Sequence, residues 1–413
     1  MRRGSALTLL GLLAVLMAWL YLFSHQALAV SSIAVVPFVN VGSNPDTEYL
    51  SDGITESVIN SLAQLPEQQL KVIALNSVLR YKGREIDPQT LGRDLAVGAV
   101  VIGRVVSRPG ALAVSAELVN VRDKSHMWGA TYNRKMVDVL AIQEEIATNI
   151  SDNLRLRLSY DAKKKLTKRY TENIEAYQLY LKGRYVWNKY TEAGWTKSID
   201  YFHQALEVDP NYALAWAGTA DAYYQLSSIV LPPSEAMPKA RAAAMKALEI
   251  DESLGEAHAS LGIIKAQYDW DRKGAEKEFR RAIDLNPSYA SAHQWFGMYY
   301  FADGQFERAL AEFKQAQQLD PLSLVIAVTA IWPLPQLGRH DEAVKELQKV
   351  MVMFPDIPDV ATYFHELRAE LYVQKGMYDD AIADFLMGFR VQLLTGVDAE
   401  TLAALKAASK RRE

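Results

Sequence analysis

A fixed period dominates the second half of the chain. The pieces EVDPNYALAW (207–216), EIDESLGEAH (249–258), DLNPSYASAH (284–293), QLDPLSLVIA (318–327) and MFPDIP (353–358) follow one another. Pro287 to Pro321 and Pro321 to Pro355 are each 34 residues, Glu252 to Pro287 is 35, and Pro210 to Glu252 is 42. A unit of that size holds one helix pair and cannot bury an apolar face alone, so the units must stack. Six units are expected: 173–210, 211–252, 253–287, 288–321, 322–355 and a last one to about 392. The surplus of the longest unit falls at Leu231–Pro238, an enlarged loop between its two helices.

The side-chain pattern follows the period. In 290–323, Phe296-Gly297, Tyr300, Ala309, Phe313, Ala316 and Pro321 alternate small and large packing residues; earlier first helices carry Trp216, Ala220 and Tyr223, then Leu261-Gly262. With this period and pattern, residues 173–392 resemble tetratricopeptide repeats. The resemblance implies a right-handed α-solenoid whose first helices line a concave groove for peptides or proteins. Groove positions carried over to this chain are Leu214, Asp221, Tyr224 and Gln225, then Gln294, Met298 and Phe301. His258, His293 and His365 share the repeat position of Trp216, which points to packing rather than a metal site. Pro333 and Pro335 fall in a first helix and must kink it or delay its start. Residues 393–413 are expected to hold a polar-faced capping helix, Ala399–Lys410, and a basic tail.

Upstream, the pattern changes from helical repeats to alternating strands and helices. Ser32–Phe38 and Leu70–Leu75 read as strands, Asp46–Leu65 and Pro88–Leu95 as helices. Val97–Val106 and Leu112–Leu118 form a hairpin around Arg108-Pro109-Gly110; Met127–Tyr132 adds a strand and Val137–Leu158 a closing helix. That order gives a small two-layer α/β domain over 33–158. The pieces SIAVVPFVN, EYLSDGITESVINSLAQLP, VIALNSVLRYKG, DLAVGAVVIGRVV, ALAVSAELVNVRDKSHMWGATYNR and IQEEIATNI resemble the TolB amino-terminal-like family, which implies an extracytoplasmic module without catalytic residues. Asp52 and Glu56 share a helix face, and a cap and a dipole partner explain them better than catalysis does. Residues 159–172 read as a basic linker.

At the N-terminus, Ala6–Phe23 is uncharged and long enough to span a bilayer, with Arg2 and Arg3 before it and Asp46 the next charge after it. The expected topology has residues 1–5 cytoplasmic, 6–23 as a transmembrane helix, 24–32 as a linker and the remainder exported, in a bacterial inner membrane. Cleavage after Ala29, leaving a soluble periplasmic protein, is the alternative. A net charge of −4 gives no basic excess for nucleic acid, and the absence of cysteine removes disulfides, thiolate metal sites and a Cys nucleophile. No nucleophile–base pair, metal set or phosphate loop stands out, so neither an enzyme nor a cofactor or metal is expected. The fold class expected is α/β plus all-α behind a membrane helix. The function expected is an anchored periplasmic adaptor binding proteins or peptides, with lipid contact through Ala6–Phe23. A sensory component acting through a partner is the alternative, since only five residues precede Ala6.

Overall fold

The computed structural model describes residues 30–42, 47–66, 70–84, 87–108, 110–354 and 358–395. Ser32–Val35 (β1) and Val39–Asn40 (β2) both run along one edge of a long strand, Ala99–Arg108 (β4). Pro37 between them has no N–H for the ladder. Phe38 instead donates its N–H to Thr55 Oγ1 at 3.0 Å, tying the strand to helix Glu48–Ala63 (α1). Lys71–Val72 (β3) pairs in parallel with β1, while Ala111–Asn120 (β5) and His126–Lys135 (β6) continue antiparallel from β4. The sheet order is β3-β1-β4-β5-β6. Leu75–Leu79 (α2) and Pro88–Leu95 (α3) connect β3 to β4, and Val139–Asn153 (α4) packs beside α1. Pro88 opens α3 behind Asp87, whose carboxylate accepts the Thr90 N–H.

The segment read as a linker folds. Tyr160–Leu166 (α5) buries Ala162 and Leu166, Lys168 pairs with Asp251 at 2.6 Å, and Arg169 pairs with Glu144 and Glu172. Helix pairs follow: Ile174–Trp187 (α6) with Glu192–Val208 (α7), Ala213–Ser227 (α8) with Pro233–Ile250 (α9), Gly255–Ile264 (α10) with Arg272–Leu285 (α11), and Ala290–Ala302 (α12) with Phe306–Leu319 (α13). In the fifth pair the first helix is broken into Leu324–Thr329 (α14) and Pro333–Gln336 (α15) before His340–Met353 (α16). The two prolines cause this break, and the bridging bonds run from Ile331 and Leu334 N–H to carbonyls three residues back. Pro358–Gln374 (α17) and Tyr378–Thr395 (α18) close the described array.

Three pairs close on a glycine facing a ring: Gly183 on Phe202, Gly262 on Phe279 and Gly297 on Phe313. A Cβ on Gly297 would lie 2.7 Å from Phe313 Cδ1, so the helices approach only because none is there. The shared repeat position of Trp216 is structural: its Nε1–H donates to Pro210 O at 3.0 Å. His258 and His293 place Nε2 against Glu252 O and Pro287 O, six residues back in each case, and Nδ1 against Glu278 and Glu312.

One expectation is corrected. Among the described residues no helix is long and apolar enough to cross a membrane. The longest, α9 and α18, carry Glu235, Lys239, Arg241, Lys246 and Glu249, and Asp379, Asp380 and Asp384, as surface helices of a stacked array do. The fold is mostly a helical, tetratricopeptide-like solenoid with one small sheet, and the expected single-pass inner-membrane location is not supported. Ala6–Phe23 and the expected cap Ala399–Lys410 lie outside the described residues.

Candidate functional site

The first half of the solenoid groove is filled by the chain's own sheet-bearing module. α1 lies against α6, the first helix of the first unit. Glu56 accepts from Arg184 Nε at 2.7 Å and from Asn188 Nδ2 at 3.2 Å, and Ser57 and Tyr177 share a hydrogen bond of 2.9 Å. Gly53 makes the approach possible: a Cβ there would stand 2.6 Å from Leu181 Cδ1. Asp52, one position before, pairs with Lys82 at 2.7 Å. A single apolar core therefore runs from Ile33 through Tyr177, Tyr180 and Leu181 to Ala215.

The other contact runs along the loops between units. Ala74 N–H donates to Leu319 O at 2.8 Å, Ser77 Oγ donates to Asp320, and Leu322 N–H donates to Ser77 Oγ at 2.9 Å. Arg80 reaches Met353 O at 3.2 Å and stacks over Phe354. Burial pushes the Asp320 carboxyl above its ordinary range, against the hydrogen bonds from Ser77 and Asn76.

Two of the groove residues expected from sequence lie in the filled half. Leu214 packs against the shared core, and Asp221 is buried, accepting from Ser260 Oγ. Burial pushes the Asp221 carboxyl up to about 6, although Ser260 and the charge of Arg184 favour ionisation. Tyr224 is buried edge-on to Trp295, with its hydroxyl 3.3 Å from Gln267 Oε1. Gln294 is buried and Gln225 half-buried.

Met298 and Phe301 face an open cleft. One chamber of 230 Å³ is walled by Ile263, Gln267, Trp270, Met298, Phe301 and Trp332. A second of 390 Å³ continues past Phe301 and Trp332 to Pro335, Gln336, Leu367 and Gln374. The two rings that divide them have centroids 5.7 Å apart. The proline break frames this cleft: it lies at the junction of α14 and α15, where Trp332 turns toward α12. Trp270, Trp332, Ile263 and Gln267 were not among the residues expected from sequence. The 35-residue spacing and an Asp269-Trp270-Asp271 turn, where later units have Asp303-Gly304 and Leu337-Gly338, were the available signals. Among the described residues no group of three or more His, Asp or Glu side chains could hold a metal.

Residues 271–323 match the tetratricopeptide repeat family model. The chain carries tetratricopeptide repeats. It is 30% identical over 257 residues to putative adenylate cyclase 3 of Rhizobium meliloti, covering 61% of this chain and 43% of that protein. It is 27% identical over 174 residues to the transcriptional regulator HilA of Salmonella typhimurium, covering 42% and 31%. The chain thus spans less than half the length of these curated relatives. Among solved structures it is similar to PilW, a widely conserved type IV pilus biogenesis factor, with 17% identity, a TM-score of 0.43, and 55% of this chain and 97% of that chain covered. Repeat arrays of this kind are scaffolds that present an extended surface for protein contact.

Proposed function

We propose that this chain is a protein-interaction scaffold without chemistry of its own, docking a peptide or protein segment in the open cleft around Met298 and Phe301. The observation that carries this reading is the division of the groove: one half is filled by the chain's own module, the other keeps an apolar, aromatic lining open. A photo-crosslinking residue at Met298 should capture a protein partner in the cells that make the chain, whereas one at Lys277 on α11 should not. Equal capture from both positions would remove the cleft as the docking site. Phe301→Ala should abolish the Met298 crosslink while leaving the fold intact by circular dichroism.

A second reading is favoured by the names of the relatives, a putative adenylate cyclase and a transcriptional regulator. In it the array is the partner-sensing part of a regulatory system. We read residues 33–158 as a TolB amino-terminal-like module in either case, supported by the order of the quoted motifs. Loss of a regulatory output in cells carrying Phe301→Ala would favour this second reading over a purely assembling scaffold.

A further inference from the structure

Each first-to-second helix turn must reverse the chain, and in every unit but the second, whose loop is longer, one residue in the left-handed region does it. Gly304 (φ +74°) follows Gly297 by seven residues, and Gly338 (+70°) and Gly376 (+73°) serve the next two units. In the third unit the residue is Trp270, at φ 58°. It follows Gly262 by eight residues, and Lys265–Asp269 absorbs the extra one as a turn of π-helix, with the Trp270 and Asp271 N–H groups both directed at Lys265 O. A bulky side chain is disfavoured in the left-handed region, and single π-turns inside helical segments concentrate at functional sites. Burial does not compensate, because Trp270 is 76% exposed.

The array repeats this replacement once, and there it serves docking. Tyr190 (φ 52°) follows Gly183 by seven residues, and its hydroxyl accepts from Asn76 of the module at 3.3 Å. Trp270 holds the corresponding turn at the open half of the groove.

Building on the docking reading above, we propose that Trp270 is the outer anchor of the cleft. Its occupant is an extended, uncharged peptide segment bearing bulky apolar side chains. The cleft continues the groove in which α1 is already seated. Its walls are Ile263, Met298, Phe301 and Trp332, so the occupant's side chains are apolar. Arg272 and Asp303 at the rim pair with each other and leave no net charge to attract one. Glu370 is the remaining lining charge, and it is exposed. The amides of Gln267, Gln336 and Gln374 offer donors and acceptors along the cleft, which suits an extended backbone; a helix satisfies its own.

Random linear peptides displayed on phage and panned against the full chain test this. Enriched sequences should be rich in aromatic, Leu and Met residues and poor in charge. Trp270→Gly should weaken their binding about tenfold or more while leaving the thermal midpoint unchanged or raised, since glycine is the turn residue of the later units. Charged enriched sequences, equal binding to Trp270→Gly, or a lowered midpoint would each overturn the proposal. Peptides that ignore Trp270→Gly but lose binding to Phe301→Ala would leave the scaffold reading standing without it. No enrichment at all would overturn both.

Discussion

The two halves of the groove use equivalent first helices for opposite ends. Along α6 and α8 the lining is Tyr177, Tyr180, Arg184, Asn188 and Asp221, and it meets a helix that carries its own polar partners, Glu56 and Ser57. Along α10, α12 and α14–α15 the lining is Ile263, Met298, Phe301 and Trp332, with amides for polar groups. A polar, paired seam fixes one partner in one register, because any shift leaves buried charges unpaired. An apolar cleft with Met and aromatic walls accepts a range of segments. On the docking reading proposed above, the solenoid joins a permanent interface to an exchangeable one.

The largest effect should come from breaking the seam at its charge. Glu56 and Arg184 are mostly buried, at 9% and 16% side-chain exposure. Arg184→Ala strands the Glu56 carboxylate with Asn188 alone and should cost about 3–5 kcal/mol in urea unfolding. Hydrogen exchange in α1 should accelerate with it; a cost confined to α6 would mean that the module is held by other contacts.

A smaller effect belongs to shape. Gly53→Val puts a branched side chain where Leu181 lies and should cost about 1–3 kcal/mol by overpacking. Repeating it in a Leu181→Ala background should recover about 1 kcal/mol or more of that cost. Simple additivity of the two substitutions would show that the clash is relieved elsewhere.

These residues mark where sequence reading stopped. The array was legible because its period is local and repeated, and the hairpin and α3 because their turn and cap residues are adjacent in sequence. Within the helix expected over Asp46–Leu65, Asp52-Gly53 reads as a cap and Glu56 as a dipole partner. In the structure α1 has already begun at Glu48, and Glu56 meets a residue 128 positions away. Nothing local distinguishes a carboxylate that complements a dipole from one that meets an arginine across an interface. Leu70–Leu75 likewise read as one strand, whereas only Lys71–Val72 pairs and Leu75 begins α2, whose register is set by Leu319 and Asp320. The open cleft was half legible. Met298 and Phe301 follow from the repeat, but Trp270 and Trp332 depend on an inserted residue and a proline break, which displace side chains from their repeat positions.

The comparison also sharpens through pH. Asp221 has an ordinary carboxyl value near 3.8 and is pushed up to about 6 by burial. Between those values the folded chain holds a proton that the unfolded chain has released, so this residue makes stability fall as pH rises from about 4 to 6. Above 6 the penalty of a buried carboxylate is fully present. Asp221→Asn keeps an acceptor for Ser260 and removes the ionisation. The difference in unfolding free energy between variant and parent should be smallest at pH 4 and should grow by about 2 kcal/mol in the variant's favour by pH 7. Taking the difference at each pH cancels the other carboxylates, including Glu278, whose burial is outweighed by hydrogen bonds from His258 and Lys265 that hold it down to about 2. A difference that stayed flat from pH 4 to 7, or reversed sign, would mean that Asp221 is solvated in the filled half of the groove.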